Sequence, residues 1–144
     1  MFQRILVPTD GSEITAKAVQ TAIGMAKVHG AQIFAVSIKE PFPYSAISEM
    51  QPTPPQEFFD AQERIATARV DEVRRACTSA GIACEGHTVE SLHAWEAIID
   101  PAKQVGADLI VMASHGRRGV EALLLGSETQ KVLTHTTTPV LVVR

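Results

Sequence analysis

The sequence predicts an α/β fold: one doubly wound domain spanning residues 1–144, a parallel sheet with helices on both faces. Three observations predict it. Short β-branched runs alternate four times with helix-period segments, the order of βαβ units. Gly30, Gly81 and Gly106 fall just past three of those helical segments, where a left-handed C′ position selects glycine. The run LIVMA, residues 109–113, is apolar throughout, as a parallel strand buried on both faces requires.

The elements follow in order. The first strand is residues 5–7 of RILVP, and the first helix runs Glu13–His29 behind the polar turn TDGS. The second strand covers residues 33–38. The next segment, EPFPYSAISEMQPTPP over residues 40–55, holds five of the chain's eight prolines and is a loop, because proline donates no backbone hydrogen bond. It reads either as a surface connection or as a flap beside a ligand cleft, since it leaves the carboxyl end of a strand. In the second helix, residues 56–80, Phe59, Ala66, Val70, Val73 and Cys77 recur at helical spacing as a buried stripe. The third strand, residues 87–89, carries the weakest apolar signal. The third helix, residues 93–105, contains Trp95, read as core, and Pro101, expected to lose the bond to the Ala97 carbonyl and to kink or divide the helix. After a fourth strand at residues 109–112, a fourth helix runs Ser127–His135. Ser127 and Gln130 have the spacing of a capping box there. The last strand, Val140–Val143, sits in TPVLVVR. As an edge strand it would expose unpaired backbone beside apolar side chains, so a two-fold dimer through residues 139–144 is expected.

Composition narrows the function. With 144 residues the chain buries about 70% of its unfolded surface, enough for a core. Its net charge of −3 supplies no general positive field for nucleic acid or an anionic membrane, so any anion site is local. No run approaches the roughly 20 apolar residues of a bilayer span, and the apolar start of MFQRILVPTDGS is too short for a signal peptide; the expectation is a cytoplasmic protein. Cys77 and Cys84 stand alone, without CxxC spacing, and read as reduced structural thiols.

The chemistry concentrates in residues 111–133, VMASHGRRGVEALLLGSETQKVL. A strand empties into a glycine-punctuated basic loop and re-enters a helix at Gly126-Ser127. Glycines allow close backbone approach, and a helix N-terminus presents free N–H groups to an anion, so a nucleotide is the leading ligand. The loop lacks both the G-x-x-x-x-G-K-[ST] and the G-x-G-x-x-G arrangements. Arg117 and Arg118 lie within phosphate reach of such a loop, although adjacent loop arginines are commonly solvated. Ser127 reads as N-cap, phosphate ligand or both. Asp10, after the first strand, faces the same crevice if the first and fourth strands are neighbours. It then accepts from a ribose hydroxyl or holds a metal-bound water; alternatively, with Gly11 and Ser12, it caps the first helix. His115 has no carboxylate or nucleophile placed near it, and His29, His87, His93 and His135 show no metal-ligand spacing. No G-x-S-x-G elbow occurs.

Together these residues resemble the universal stress protein family over essentially the whole chain, from ILVPTDGS through ADLIVMASHGRRG and LLLGSETQKVL to TPVLVV. Nucleotide-binding members carry G-x2-G-x9-G-[ST] after the fourth strand. The matching positions are Ala113, Gly116, Gly126 and Ser127, with both spacings kept. The resemblance implies a five-stranded sheet of order 3-2-1-4-5 in an adenine nucleotide alpha hydrolase-like fold. It also implies a homodimer through strand five, and ATP, with Mg or Mn, or another adenine nucleotide between strands one and four. By that likeness Pro8, Thr9 and Asp10 line the adenosine side and Val36 contacts adenine. Backbone groups of Gly116, Gly126, Ser127 and Glu128 surround the phosphates, and Met112, Ala113, His115, Arg117 and Thr129 complete the site. Ala113 replaces the first motif glycine. At positive φ this costs about 1 kcal/mol; in extended backbone the cost is steric only.

Three functions are consistent with these residues. The first is a regulatory protein that binds ATP with slow or absent hydrolysis, since no base, catalytic lysine or arginine finger is evident; its stress-response role is implied by resemblance. The second is an enzyme of related α/β architecture, a weak ATP phosphohydrolase or a nucleotidyl transferase. The third is a dimeric interaction module that binds no nucleotide.

Overall fold

The computed structural model describes residues 1–42, 55–116 and 125–144. Most of the proline-rich segment therefore lies outside the described residues, as do Arg117 and Arg118. The elements are β1 (Arg4–Pro8), α1 (Glu13–His29), β2 (Gln32–Lys39), α2 (Gln56–Ser79), β3 (Cys84–Glu90), α3 (Ala94–Val105), β4 (Leu109–Ala113), α4 (Ser127–His135) and β5 (Val140–Val143). The five strands form one parallel sheet of order β3-β2-β1-β4-β5, as expected.

The period of two along the strands divides the core between two faces. Ile5 and Val7 of β1, Ile33 and Ala35 of β2, and Leu109, Val111 and Ala113 of β4 pack with α1 and α2. Leu6, Val36, Ile110 and Met112 pack on the other face with Ile98, Ile99 and Ala102 of α3 and Val132 of α4. The apolar residues of these strands therefore serve both faces of the sheet. Helices α1 and α3 end on glycines in the left-handed conformation, Gly30 at φ 68° and Gly106 at φ 66°. No helix among the described residues is long and apolar enough to cross a membrane.

Three local expectations are corrected. First, β3 has seven residues where three were expected. It pairs with β2 from Cys84 to Glu90, but Glu85, Gly86, His87 and Thr88 separate its two core-packing residues, Cys84 and Val89, so the apolar pattern reveals it only in part. Gly86 lies directly beneath α2, where an added methyl would overlap Val70 Cγ1. Second, α3 starts at Ala94 and continues through the buried Pro101 undivided to Val105. Third, the N-cap of α4 is Gly126, with no side-chain cap bond, so the capping box fails: Gln130 instead donates Nε2 to the Leu125 carbonyl at 3.0 Å. Trp95, expected in the core, is half-buried; it packs on the α3–α4 cluster and stacks on His135 with ring centroids 4.4 Å apart.

Candidate functional site

The winding direction of the sheet reverses between β1 and β4, and there the sheet opens. The β1–β4 register consists of Ile5↔Leu109 and Leu6↔Ile110, whereas β1 stays paired with β2 as far as Pro8↔Val36 and β4 with β5 as far as Ala113↔Val143. The backbone continues the divergence. Thr9 N donates to the Val36 carbonyl at 2.8 Å, on the β2 side, and Ser114 N donates to the Val143 carbonyl at 2.8 Å, on the β5 side. Two neighbouring strands thus lean to opposite sides at their carboxyl ends, which makes the crevice that ligands occupy in open α/β sheets.

One wall is the β1–α1 turn. Ser12 caps α1 by accepting from Thr15 N at 3.4 Å, and Asp10 Oδ1 accepts from Ser12 N at 2.9 Å and from Thr15 Oγ1 at 3.1 Å. Gly11, at φ 77°, gives the turn its reversal, and its N–H donates to Thr9 Oγ1 at 3.2 Å. Asp10 therefore does support the helix start, the structural role weighed for it. Its second oxygen, Oδ2, faces the opposite wall: a methyl added to Gly116 would lie 3.1 Å from it. Asp10 and Gly116, 106 positions apart in sequence, are thus brought together across the crevice.

The other wall is the end of β4 and the start of α4. Gly126 N donates to the Ser114 carbonyl at 2.7 Å, and the buried Thr129 hydroxyl bonds the carbonyls of Ala113 and Ser114, each at 3.1 Å. These bonds fasten the first turn of α4 to the last residues of β4. A methyl on Gly126 would lie 3.2 Å from His115 Cα and 3.3 Å from the Ser114 oxygen, so a larger residue there would push the two segments apart by a few tenths of an ångström. The amides of Ser127, Glu128 and Thr129 open α4, where N–H groups have no partner within the helix. Ser127 is exposed beside them. Glu128 turns its carboxylate to the adjacent helix, accepting from Trp95 N at 3.0 Å and so capping α3, whose N-cap His93 supplies no side-chain cap.

Not every expected residue reaches the crevice by its side chain. Val36 is fully buried in the α3–α4 cluster with its carbonyl bonded to Thr9 N, and Met112 is buried in the same cluster. Ala113 is extended in β4 and its methyl joins the α1–α2 cluster; no non-glycine residue among those described has positive φ. The substitution of the first motif glycine therefore carries no backbone strain. His115 is half-buried, its Nδ1 3.2 Å from Ser114 Oγ. Pro8 closes β1, half-buried, at the floor of the opening. Sequence reasoning missed Thr15, which organises the Asp10 turn, and Ser114, whose carbonyl anchors α4. Ser114 occupies one of the two free positions of G-x2-G, so the motif itself gave it no weight. Among the described residues no group of three His, Cys, Asp or Glu side chains is gathered for a metal ion.

Comparison with known proteins agrees with this architecture. The model of the universal stress protein family matches residues 1–144. A universal stress protein of Thermus aquaticus is 34% identical over 145 residues, covering all of both chains. The crystal structure of a universal stress protein family member from Burkholderia pseudomallei is 25% identical, covers 98% of this chain and 95% of that one, and superposes with a TM-score of 0.78. A universal stress protein solved in complex with cAMP is also 25% identical, with 99% and 97% coverage and a TM-score of 0.72.

Proposed function

The chain belongs to the universal stress protein family, and from that premise we propose that it is a regulatory protein that binds an adenine nucleotide, foremost ATP with Mg or Mn. The observation that carries the proposal is the parting of β1 and β4 with a glycine-lined wall on one side and Asp10 on the other. In this reading the phosphates lie over the first-turn amides of α4, with Gly116, Gly126, Ser127 and Glu128 offering backbone groups. Pro8, Thr9 and Asp10 line the adenosine side. Val36 reaches the base through its backbone, since its side chain is buried. Asp10 approaches the ribose or, through water, the metal. Ala113, Met112 and Thr129 hold the walls, and His115 borders the phosphate region. The cAMP complex of a relative supports an adenine ligand, and the present site is proposed to prefer ATP.

Hydrolysis is slow or absent in this proposal. The two groups nearest to acting as a base are each tied at one atom to the turn that carries them, Asp10 Oδ1 to Ser12 and Thr15 and His115 Nδ1 to Ser114, and no nucleophile or second base is placed beside them among the described residues. A stress-response role and a cytoplasmic location follow from the family likeness. A homodimer through residues 139–144 rests on β5, which lies at the sheet edge with Leu141 36% exposed. The test is to incubate the purified protein with ATP and magnesium, remove free ligand by gel filtration, denature mildly and identify released nucleotide by absorbance and mass spectrometry. Release of ATP supports the reading, release of AMP or ADP shifts it to another adenine nucleotide or to hydrolysis, and no release counts against it.

One observation favours a second reading. Gly116 and Gly126 are each closely approached within the protein, by the Asp10 carboxylate and by the Ser114–His115 backbone, whether or not a ligand is bound. A dimeric interaction module without nucleotide would keep the same glycines, and it predicts no release in that experiment.

A further inference from the structure

Helix α3 does not cap itself. Its N-cap, His93, makes no side-chain cap bond, and the Ser91 hydroxyl is spent on His93, accepting from its N–H at 3.1 Å and donating to its carbonyl at 2.9 Å. The missing acceptor comes from α4, 33 positions away: Glu128 Oε2 takes the N–H of Trp95, the second residue of α3, at 3.0 Å. An aspartate at position 93 would serve that same amide from within the helix. The other oxygen, Oε1, lies 3.5 Å from Lys131 Nζ. Glu128 is the second residue of α4, in the turn whose amides open on the crevice. Its carboxylate is thus drawn away from the helix end that its own charge would otherwise occupy. Trp95 is held a second time at the far end of α4. Its ring stacks on His135 with centroids 4.4 Å apart, and His135 Nδ1 donates to the Lys131 carbonyl at 2.8 Å. Between these two grips, Ile98, Ile99 and Ala102 of α3 share one buried cluster with Val132 of α4.

We propose that Glu128 is a positioning residue that makes the start of α3 conditional on the first turn of α4, so that an anion seated on that turn is signalled to α3. The input is the nucleotide phosphate placed over the α4 amides, so the signal rests on the nucleotide reading. A local cap would fix the first turn of α3 whatever α4 does. A cap borrowed from α4 ties the two turns together, since a shift of one either breaks the Glu128–Trp95 bond or carries the other with it. Phosphate brings negative charge beside Glu128, and like-charge repulsion drives the carboxylate further toward the positive end of α3. Nucleotide therefore tightens the bond to Trp95 and with it the first turn of α3. By linkage, a firmer hold on Glu128 by α3 favours the nucleotide in return.

Trp95 is the chain's single tryptophan, so labelling tryptophan with an NMR-active nitrogen isotope gives one backbone amide signal at the joint itself. ATP with magnesium is titrated into the whole folded chain while equilibrium dialysis measures binding. The Trp95 amide signal should move saturably, with the midpoint that dialysis gives, and its exchange with solvent should slow. Without nucleotide, Glu128→Ala should speed that exchange about fivefold, whereas Glu128→Gln, which keeps a carbonyl acceptor, should not. His93→Asp supplies α3 with its own cap. Added to Glu128→Ala it should restore protection; alone it should leave ATP bound in dialysis but Trp95 exchange no longer slowed by it. Unchanged exchange in Glu128→Ala would overturn the positioning role. Binding in dialysis with an unmoved Trp95 amide would overturn the signal while sparing the nucleotide reading, and no binding in dialysis would overturn both.

Discussion

Ala113 shows how a motif position is read differently once its backbone is known. At the first glycine of G-x2-G-x9-G-[ST], an alanine is costly only if φ is positive; here it is extended and its methyl is part of the core. Ala113→Gly is therefore expected to destabilise the protein by about 1 kcal/mol, through lost burial and a more flexible strand, and to leave nucleotide affinity unimproved. Thermal unfolding and titration of the variant check both halves. The later glycines answer to sterics instead: Gly126 is crowded by backbone atoms of Ser114 and His115, whereas Gly116 is crowded by the movable carboxylate of Asp10. These spacings were legible in the sequence, but the reason for each glycine was not, because the atoms that crowd it come from residues 11 to 106 positions away. The failed capping box of Ser127 and Gln130 has the same origin. Gly126 N reaches the Ser114 carbonyl, and this tertiary bond sets where α4 begins.

At the scale of elements, sequence reading succeeded where a strand carries a continuous apolar run and failed where it does not. The strands β1, β2, β4 and β5 were marked by apolar residues, and α1 by its polar turn and closing glycine. The edge strand β3, with Glu85, Gly86 and His87 at its centre, was seen only in part, because its stability comes from pairing with β2 and from α2 lying over Gly86. Gly86→Ala is accordingly expected to cost about 3 kcal/mol, since the new methyl would overlap Val70 Cγ1. Pairing it with Val70→Ala should recover part of that loss, which denaturant melts of the single and double variants would read. Glu63 adds a smaller tie: it accepts from Lys39 of β2 at 2.7 Å and from Thr88 of β3 at 3.2 Å. The hydrogen bond from Lys39 leads in holding its carboxyl below the usual range, with Thr88 and Thr67 assisting. A lowered carboxyl stabilises the fold above its unfolded pKa and loses that contribution as pH falls through its folded value. The exposure of this pair keeps the effect slight.

At the scale of the whole molecule, the order β3-β2-β1-β4-β5 places the ligand crevice at its centre and the apolar strand β5 at one edge. If β5 is the dimer seam, Leu141→Lys should convert the protein from dimer to monomer in light scattering while leaving its circular dichroism intact; an unchanged mass would refute the seam. The parted ends of β1 and β4 are proposed to bind ATP. Isothermal titration of the folded protein with ATP and magnesium should give a saturable heat with one nucleotide per chain; no heat at high ligand concentration, with the fold intact, would rule out a nucleotide site there.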